Sequence, residues 1–149
     1  VLAKVLVDRN SPFLKSIIIN KGSKEGIIKG MPVTQNKYLI GRIVETNYLS
    51  SRVLLLNDLN SRIPVTFDTS STQAILIGNG TRKPTLEYLP ENYIFESDIT
   101  VFASGKDGIF NAGTPIGKTK DNGEVDLFVD PNQLSFVTVN LIKPTKEVF

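Results

Sequence analysis

Lys24-Glu25-Gly26-Ile27-Ile28-Lys29-Gly30-Met31-Pro32-Val33 recurs, with one residue inserted, as Lys106-Asp107-Gly108-Ile109-Phe110-Asn111-Ala112-Gly113-Thr114-Pro115-Ile116. Both copies read Lys, acid, Gly, Ile and a bulky apolar residue, then a further Gly, any residue, Pro and a β-branched residue. The chemistry is that of a turn with glycine where φ must be positive, an apolar plug, a second turn, and a proline entering a strand edge. The copies lie 82–83 residues apart, more than half of the 149-residue chain. That spacing argues for two related β units rather than a solenoid, which needs at least about three repeats. The polar stretch Asp68-Thr69-Ser70-Ser71-Thr72 places the boundary, giving a first β domain over 1–67 and a second over 68–137.

Outward from these turns, apolar residues come in short runs rich in Val, Ile and Leu. The clearest span 4–7, 16–20, 40–46 and 52–56, then 62–67, 74–77, 85–88, 99–103, 115–120, 125–129 and 136–142. Gly, Pro, Asn, Asp or Ser separate them, and no helical i, i+3, i+4, i+7 pattern persists. Short strands at close spacing with turn residues between them predict an all-β sandwich or barrel. Asp121-Asn122-Gly123 sits between two such runs and predicts a type I′ hairpin turn, in which Asn-Gly supplies the positive φ angles. After it Val125, Leu127 and Val129 alternate with Asp126, Phe128 and Asp130, the pattern of a half-buried strand.

With 40% hydrophobic and 21% charged residues the chain is globular, neither a disordered tail nor a collagen-like fibre. It has no histidine, cysteine or tryptophan. A Ser-His-Asp triad, a Cys-His nucleophile, an imidazole or thiolate metal site and a disulfide framework are therefore excluded. The net charge of +2 is unevenly spread: residues 1–65 carry ten basic and four acidic side chains, residues 66–149 seven and eleven. The resulting +6 and −4 halves suggest two modules and would orient copies head to tail. The chain opens Val1-Leu2-Ala3-Lys4 without an initiator Met and holds no apolar run of about 18 residues. The expectation is an excised piece whose membrane anchor lies outside it.

Motifs that could carry chemistry are few. Gly22, Gly26 and Gly30 have small-xxx-small spacing, but Lys21, Lys24, Glu25 and Lys29 between them would not be tolerated in a lipid-buried helix. Gly78-Asn79-Gly80 and Ser104-Gly105 lack the Gly-Lys-Ser/Thr that follows in a phosphate-binding loop. Ser11 and Ser104 have no histidine to activate them. The acids Glu87, Glu91, Glu96 and Asp98 are the remaining catalytic candidates, since a carboxylate pair about 5–10 Å apart can cleave a glycosidic bond. Aromatic support there is limited to Tyr88, Tyr93 and Phe95, so charged residues edging surface loops describe them better. Nucleic-acid binding by the basic half would want aromatic residues interleaved with Lys and Arg on one face. Phe13, Tyr38 and Tyr48 are scattered instead.

Taken in order, the turns and strands resemble the extracytoplasmic β region of the MreC family of rod shape-determining proteins. The resemblance rests on Asn20 through Val33, then Leu39-Ile40-Gly41-Arg42-Ile43, Ser51-Arg52-Val53-Leu54-Leu55-Leu56 and Asn60-Ser61-Arg62-Ile63-Pro64-Val65. It continues through Ser104-Gly105 and Gly108-Ile109-Phe110-Asn111-Ala112-Gly113-Thr114-Pro115-Ile116-Gly117. Departures are Tyr38 for a glycine, Ala103 for Thr, Asn111 for Pro, and Glu96-Ser97-Asp98 in place of x-Gly-Asp; they touch loop geometry rather than the apolar pattern.

The resemblance implies two small β-barrels of the six-stranded type, arranged somewhat as in chymotrypsin-type proteases but without catalytic residues. It leaves the last strand free to end the second domain or to return, with 138–149, and complete the first. It implies a non-enzymatic scaffold of the cell-elongation peptidoglycan synthesis machinery, without cofactor or nucleic acid, that self-associates into dimers or filaments and binds the elongation class B penicillin-binding protein. MreD, RodA and, on the cytoplasmic side, MreB are its further implied partners. The implied place is periplasmic, on the outer face of the inner membrane, with an N-terminal helix as anchor. The alternatives are a β-domain adaptor of an envelope export assembly and, more distantly, a carboxylate-dependent carbohydrate-active enzyme. Candidate partner contacts are Arg42, Ile27 and Ile28 in the first signature region and Ile109 and Phe110 in the second, because apolar and Arg-rich turns supply interface hot spots. The competing role for the four apolar residues is to plug the barrel ends.

Overall fold

The computed structural model describes residues 1–10, 15–67, 72–105 and 113–141. The first sheet contains β1 (Leu2–Asn10), β2 (Lys15–Ile19), β3 (Pro32–Gln35), β4 (Tyr38–Thr46), β5 (Ser51–Leu55) and, from far along the chain, β12 (Phe136–Val139). These close into an antiparallel barrel in the order β1-β12-β3-β4-β5-β2. The second sheet contains β6 (Arg62–Phe67), β7 (Thr72–Ile77), β8 (Thr85–Glu87), β9 (Thr100–Ala103), β10 (Pro115–Thr119) and β11 (Val125–Leu127). Its order is β11-β10-β9-β6-β7-β8. The ends of that sheet meet at a bridge between Thr85 and Glu124, where Leu86 N–H donates to the Gly123 carbonyl at 2.9 Å and Val125 N–H to that of Pro84 at 2.8 Å. The fold is all-β, with two six-stranded barrel-like sheets.

Strand pleating explains the cores. In β5 the pattern buries Ser51, Val53 and Leu55 and leaves Arg52 and Leu54 half-buried. With Ile17 and Ile19 of β2, Val33 of β3, Ile43 of β4 and Val137 and Val139 of β12, Val53 and Leu55 fill the first barrel. Each such fully buried aliphatic side chain contributes about 1.5–3 kcal/mol. The second core is Ile63, Val65, Phe67, Leu76, Val101, Ile116 and Val125 with their neighbours. Strand β6 pairs with β7 and β9, so the chain changes sheets within 56–61, ahead of the polar stretch at 68–72 where the sequence pattern suggests a break. It returns within 128–135, and the last strand joins the first barrel: Ala3 faces Val137 on one side, Val139 faces Val33 on the other.

Two turns differ from expectation. The β10–β11 hairpin is not type I′: among its residues Gly123 alone has positive φ, at 85°, and Lys120 N–H reaches the Glu124 carbonyl. This is a three-residue loop with a glycine bulge. The Asn122 side chain is engaged with Glu124, donating Nδ2–H to Oε1 at 2.7 Å and accepting its N–H at 3.2 Å. Type I′ geometry occurs instead between β3 and β4, where Asn36 and Lys37 both have positive φ, 51° and 72°. Strand β3 has no apolar run to announce it.

The sheets meet through residues facing outward from the first barrel. Leu39 of β4 and Leu56 join the second core, and the Tyr38 and Phe128 rings lie 4.8 Å apart. Beneath them the crossing at 57–61 is fastened to both sides. The Asp58 carboxylate accepts the Lys15 N–H at 2.7 Å and the Asn60 N–H at 2.8 Å. Gly80 N–H donates to the Asn57 carbonyl at 2.8 Å and Gly78 N–H to that of Ser61 at 3.0 Å.

A Cβ on Gly78 would stand 1.9 Å from the Asp58 carbonyl oxygen, whereas one on Gly26, at φ 87°, would meet nothing within 4 Å. Gly78→Ala should therefore cost more than about 3 kcal/mol and Gly26→Ala about 1 kcal/mol, in urea unfolding of each variant. Truncation before residue 136 exposes the edges of β1 and β3. Amide exchange protection should then vanish from the first barrel and persist in the second sheet.

Candidate partner-docking surface

The sequence-derived contact residues take different places. Ile27 follows the short turn Ser23–Glu25 and is fully buried in the first core. It presents no surface to a partner. Ile28 is half-buried against the same core, its N–H directed at Met31 Sδ at 3.3 Å. Arg42 lies half-buried on β4, opposite Pro32 of β3 and Leu54 of β5. Ile109 and Phe110 lie outside the described residues. The signature turn owes its form to a close approach: a Cβ on Gly22 would fall 2.1 Å from the Asn47 carbonyl oxygen, and Ser23 N–H donates to that oxygen at 2.9 Å.

Glu87, Glu91, Glu96 and Asp98 are all exposed. Among the described residues no group of three acidic, histidine or cysteine side chains is arranged to hold a metal.

A coherent apolar surface appears on the outer face of the second sheet. Strand β7 buries Ala74 and Leu76 and turns Ile75 and Ile77 outward. Ile75 stands opposite Pro64 of β6, and on the far side of β6 Thr66 faces Phe102 of β9, itself opposite Pro115 of β10. All of these outward side chains are half-buried. The run Ala74-Ile75-Leu76-Ile77 is apolar on both faces, a signal legible in the sequence, since a strand with one solvated face alternates with polar residues.

Tyr88 stands at the edge of this face. It follows β8, is 76% exposed, and has a φ of 61°. Left-handed backbone is uncommon for a bulky residue and marks places where other constraints override local preference. With Pro64, Gln73, Ala74 and Ile75 it lines an apolar recess of about 170 Å³. An exposed aromatic beside an apolar recess is the composition of an interface hot spot. The apolar pattern assigns 85–88 to a strand and so misses the exposure of Tyr88; the left-handed turn that exposes it has no glycine to betray it.

A family described as rod shape-determining protein MreC, barrel core, matches residues 5–141. The cell shape-determining protein MreC of Caulobacter vibrioides is 35% identical over 145 residues, covering 95% of this chain and 42% of that protein. The chain thus spans less than half the length of this relative. The crystal structure of MreC from Pseudomonas aeruginosa superposes with a TM-score of 0.83 at 26% identity, covering 94% of this chain and 97% of that one. The complex between penicillin-binding protein PBP2 and MreC from Helicobacter pylori contains a chain of the same fold, with a TM-score of 0.63 at 14% identity, covering 93% of this chain and 98% of that one.

Core and surface roles separate in stability measurements. Ile27→Ala should cost about 2–5 kcal/mol, as core truncations do. Tyr88→Asn, which suits left-handed backbone and removes an exposed ring, should change the unfolding free energy by less than about 1 kcal/mol.

Proposed function

We propose, since this chain belongs to the MreC family of rod shape-determining proteins, that it is a scaffold through which the peptidoglycan synthesis machinery of cell elongation is held together. The family is one of cell shape-determining proteins, not of enzymes. The observation that carries the proposal is the match of its barrel core to residues 5–141, covering both sheets and the returning strand β12.

The partner is the elongation class B penicillin-binding protein. A complex of PBP2 with MreC is known for the Helicobacter pylori proteins, whose MreC shares this fold. The docking surface in this reading is the outer face of the second sheet, with Tyr88 as anchor and Ile75, Pro64 and Phe102 as apolar support. Arg42, Ile28 and the turn at Ile109 and Phe110 remain sequence-derived contact candidates; Ile27, wholly buried, acts through the shape of the barrel end. Apolar area with an exposed aromatic at its edge favours desolvation on contact, and guanidinium groups add directional hydrogen bonds at a rim. MreD, RodA and MreB, with self-association into dimers or filaments, complete the assembly. The chain acts on the extracytoplasmic side of the inner membrane, its anchor supplied by a preceding helix. Among the described residues no helix is long and apolar enough to cross a membrane.

Calorimetric titration of the chain into the extracytoplasmic part of its own class B penicillin-binding protein tests the proposal. Saturable binding at micromolar affinity is expected, with Tyr88→Asn and Ile75→Asp each weakening it about tenfold or more. Unchanged affinity in both folded variants would move the interface elsewhere, and absence of binding by the folded chain would overturn the partner. Light scattering in the same buffer reads self-association.

A further inference from the structure

A polar cleft of about 420 Å³ opens beside the β10–β11 hairpin, away from the apolar recess in composition and in lining residues. Lys83, Lys118 and Lys120 line it together with Asp98, Asp121, Glu124 and Asp126. Its volume lies within the range of small-ligand sites. Among the described residues the ion pairs are Arg52–Glu45 at 3.7 Å and Arg82–Asp130 at 4.0 Å, and neither lies in the cleft. Even Lys118 and Asp126, directly opposite across β10 and β11, stay beyond salt-bridge distance.

The walls are held in place. Thr119, 3% exposed, donates its hydroxyl to the Glu96 carbonyl at 2.6 Å and accepts the Ile99 N–H at 3.0 Å. Asp98 N–H reaches the Thr119 carbonyl at 2.8 Å, and Asp98 itself is kept at φ 64°. On the opposite wall Asn122 Nδ2–H fixes the Glu124 carboxylate, and Asn79 Nδ2–H holds the Lys83 carbonyl at 2.9 Å.

We infer that this cleft binds a short zwitterionic peptide, one carrying a free ammonium group and free carboxylates. Three ammonium groups and four carboxylates nearly cancel, so a simple anion or cation gains little from the cleft as a whole. A ligand with both signs gains at both ends, because each of its charges can face an opposite one that forms no ion pair among the described residues. The site is separate from the partner surface proposed above and does not depend on it.

The test is an amide NMR titration with the tripeptide Ala-Glu-Lys, unblocked at both termini, and with acetylated, amidated Ala-Gln-Met, a blocked peptide of similar size that carries neither an ammonium group nor a carboxylate. Saturable shifts at Lys118, Lys120 and Glu124 are expected for the free peptide, with binding at least about fivefold weaker for the blocked one. Lys118→Ala and Asp98→Asn should each weaken binding about threefold, as for exposed charge pairs. Salt at about 0.5 M, where the screening length falls to roughly 4 Å, should weaken it further. Asp98→Asn keeps a residue at home in left-handed backbone, and Lys120→Ala reads the same loss should Lys118→Ala disturb the hairpin. No shifts at the cleft, equal binding of the blocked peptide, or wild-type affinity in the folded variants would each overturn the site.

Discussion

The first barrel depends on a strand from the other end of the sequence. Without β12, β1 and β3 would each present an open edge, and unpaired backbone N–H and C=O groups recruit other chains or cost stability. Residues 136–139 fill that gap, and Val1 and Val139 exchange hydrogen bonds of 2.9 and 2.8 Å at its end. The second sheet is consequently an insertion in the first domain, attached by two crossings rather than one. A single crossing would leave the sheets free to swivel. Two crossings, with Leu39 and Leu56 in the second core and the Tyr38–Phe128 contact between, hold them as a pair.

That arrangement suits the scaffold role proposed for the chain. Closure removes strand edges from the first barrel, so that its side chains rather than open backbone face outward. On the second sheet the pleat divides the labour. Ile63, Val65 and Leu76 point to the core, while Pro64, Ile75 and Phe102 are delivered to the outer face. The same sheet carries, at its hairpin, the mixed-charge cleft. Apolar recess and polar cleft draw on different physics, desolvation in one and local charge complementarity in the other, so a single small domain can present both.

Most strands are legible because alternation of apolar and polar residues is a local property: 52–56, 62–67 and 125–129 read as strands from their residues alone, and the fold places β5, β6 and β11 there. Strand β3 is announced only by Pro32, read as a proline entering a strand edge; Pro32-Val33-Thr34-Gln35 has too few apolar residues to form a run, and its extent comes from β4 and β12 on either side. The hairpin at 121–123 is legible and its turn type is not, since the Asn122 side chain is committed to Glu124. Ile27 and Ile28 are neighbours in one motif, yet one is wholly buried and the other half-buried, a distinction made by the barrel end over which they fold.

By itself the sequence determined that the chain is β throughout, that it repeats one turn motif built on glycine and proline, and that histidine and cysteine chemistry is closed to it. Those properties live in single residues and their near neighbours. Only the tertiary structure decided where β12 belongs, where the chain changes sheets, which side of β7 meets solvent, and that Tyr88 stands exposed in left-handed backbone. Each of these depends on pairing between residues far apart in the chain, where closing an edge or filling a core outweighs what any short stretch prefers.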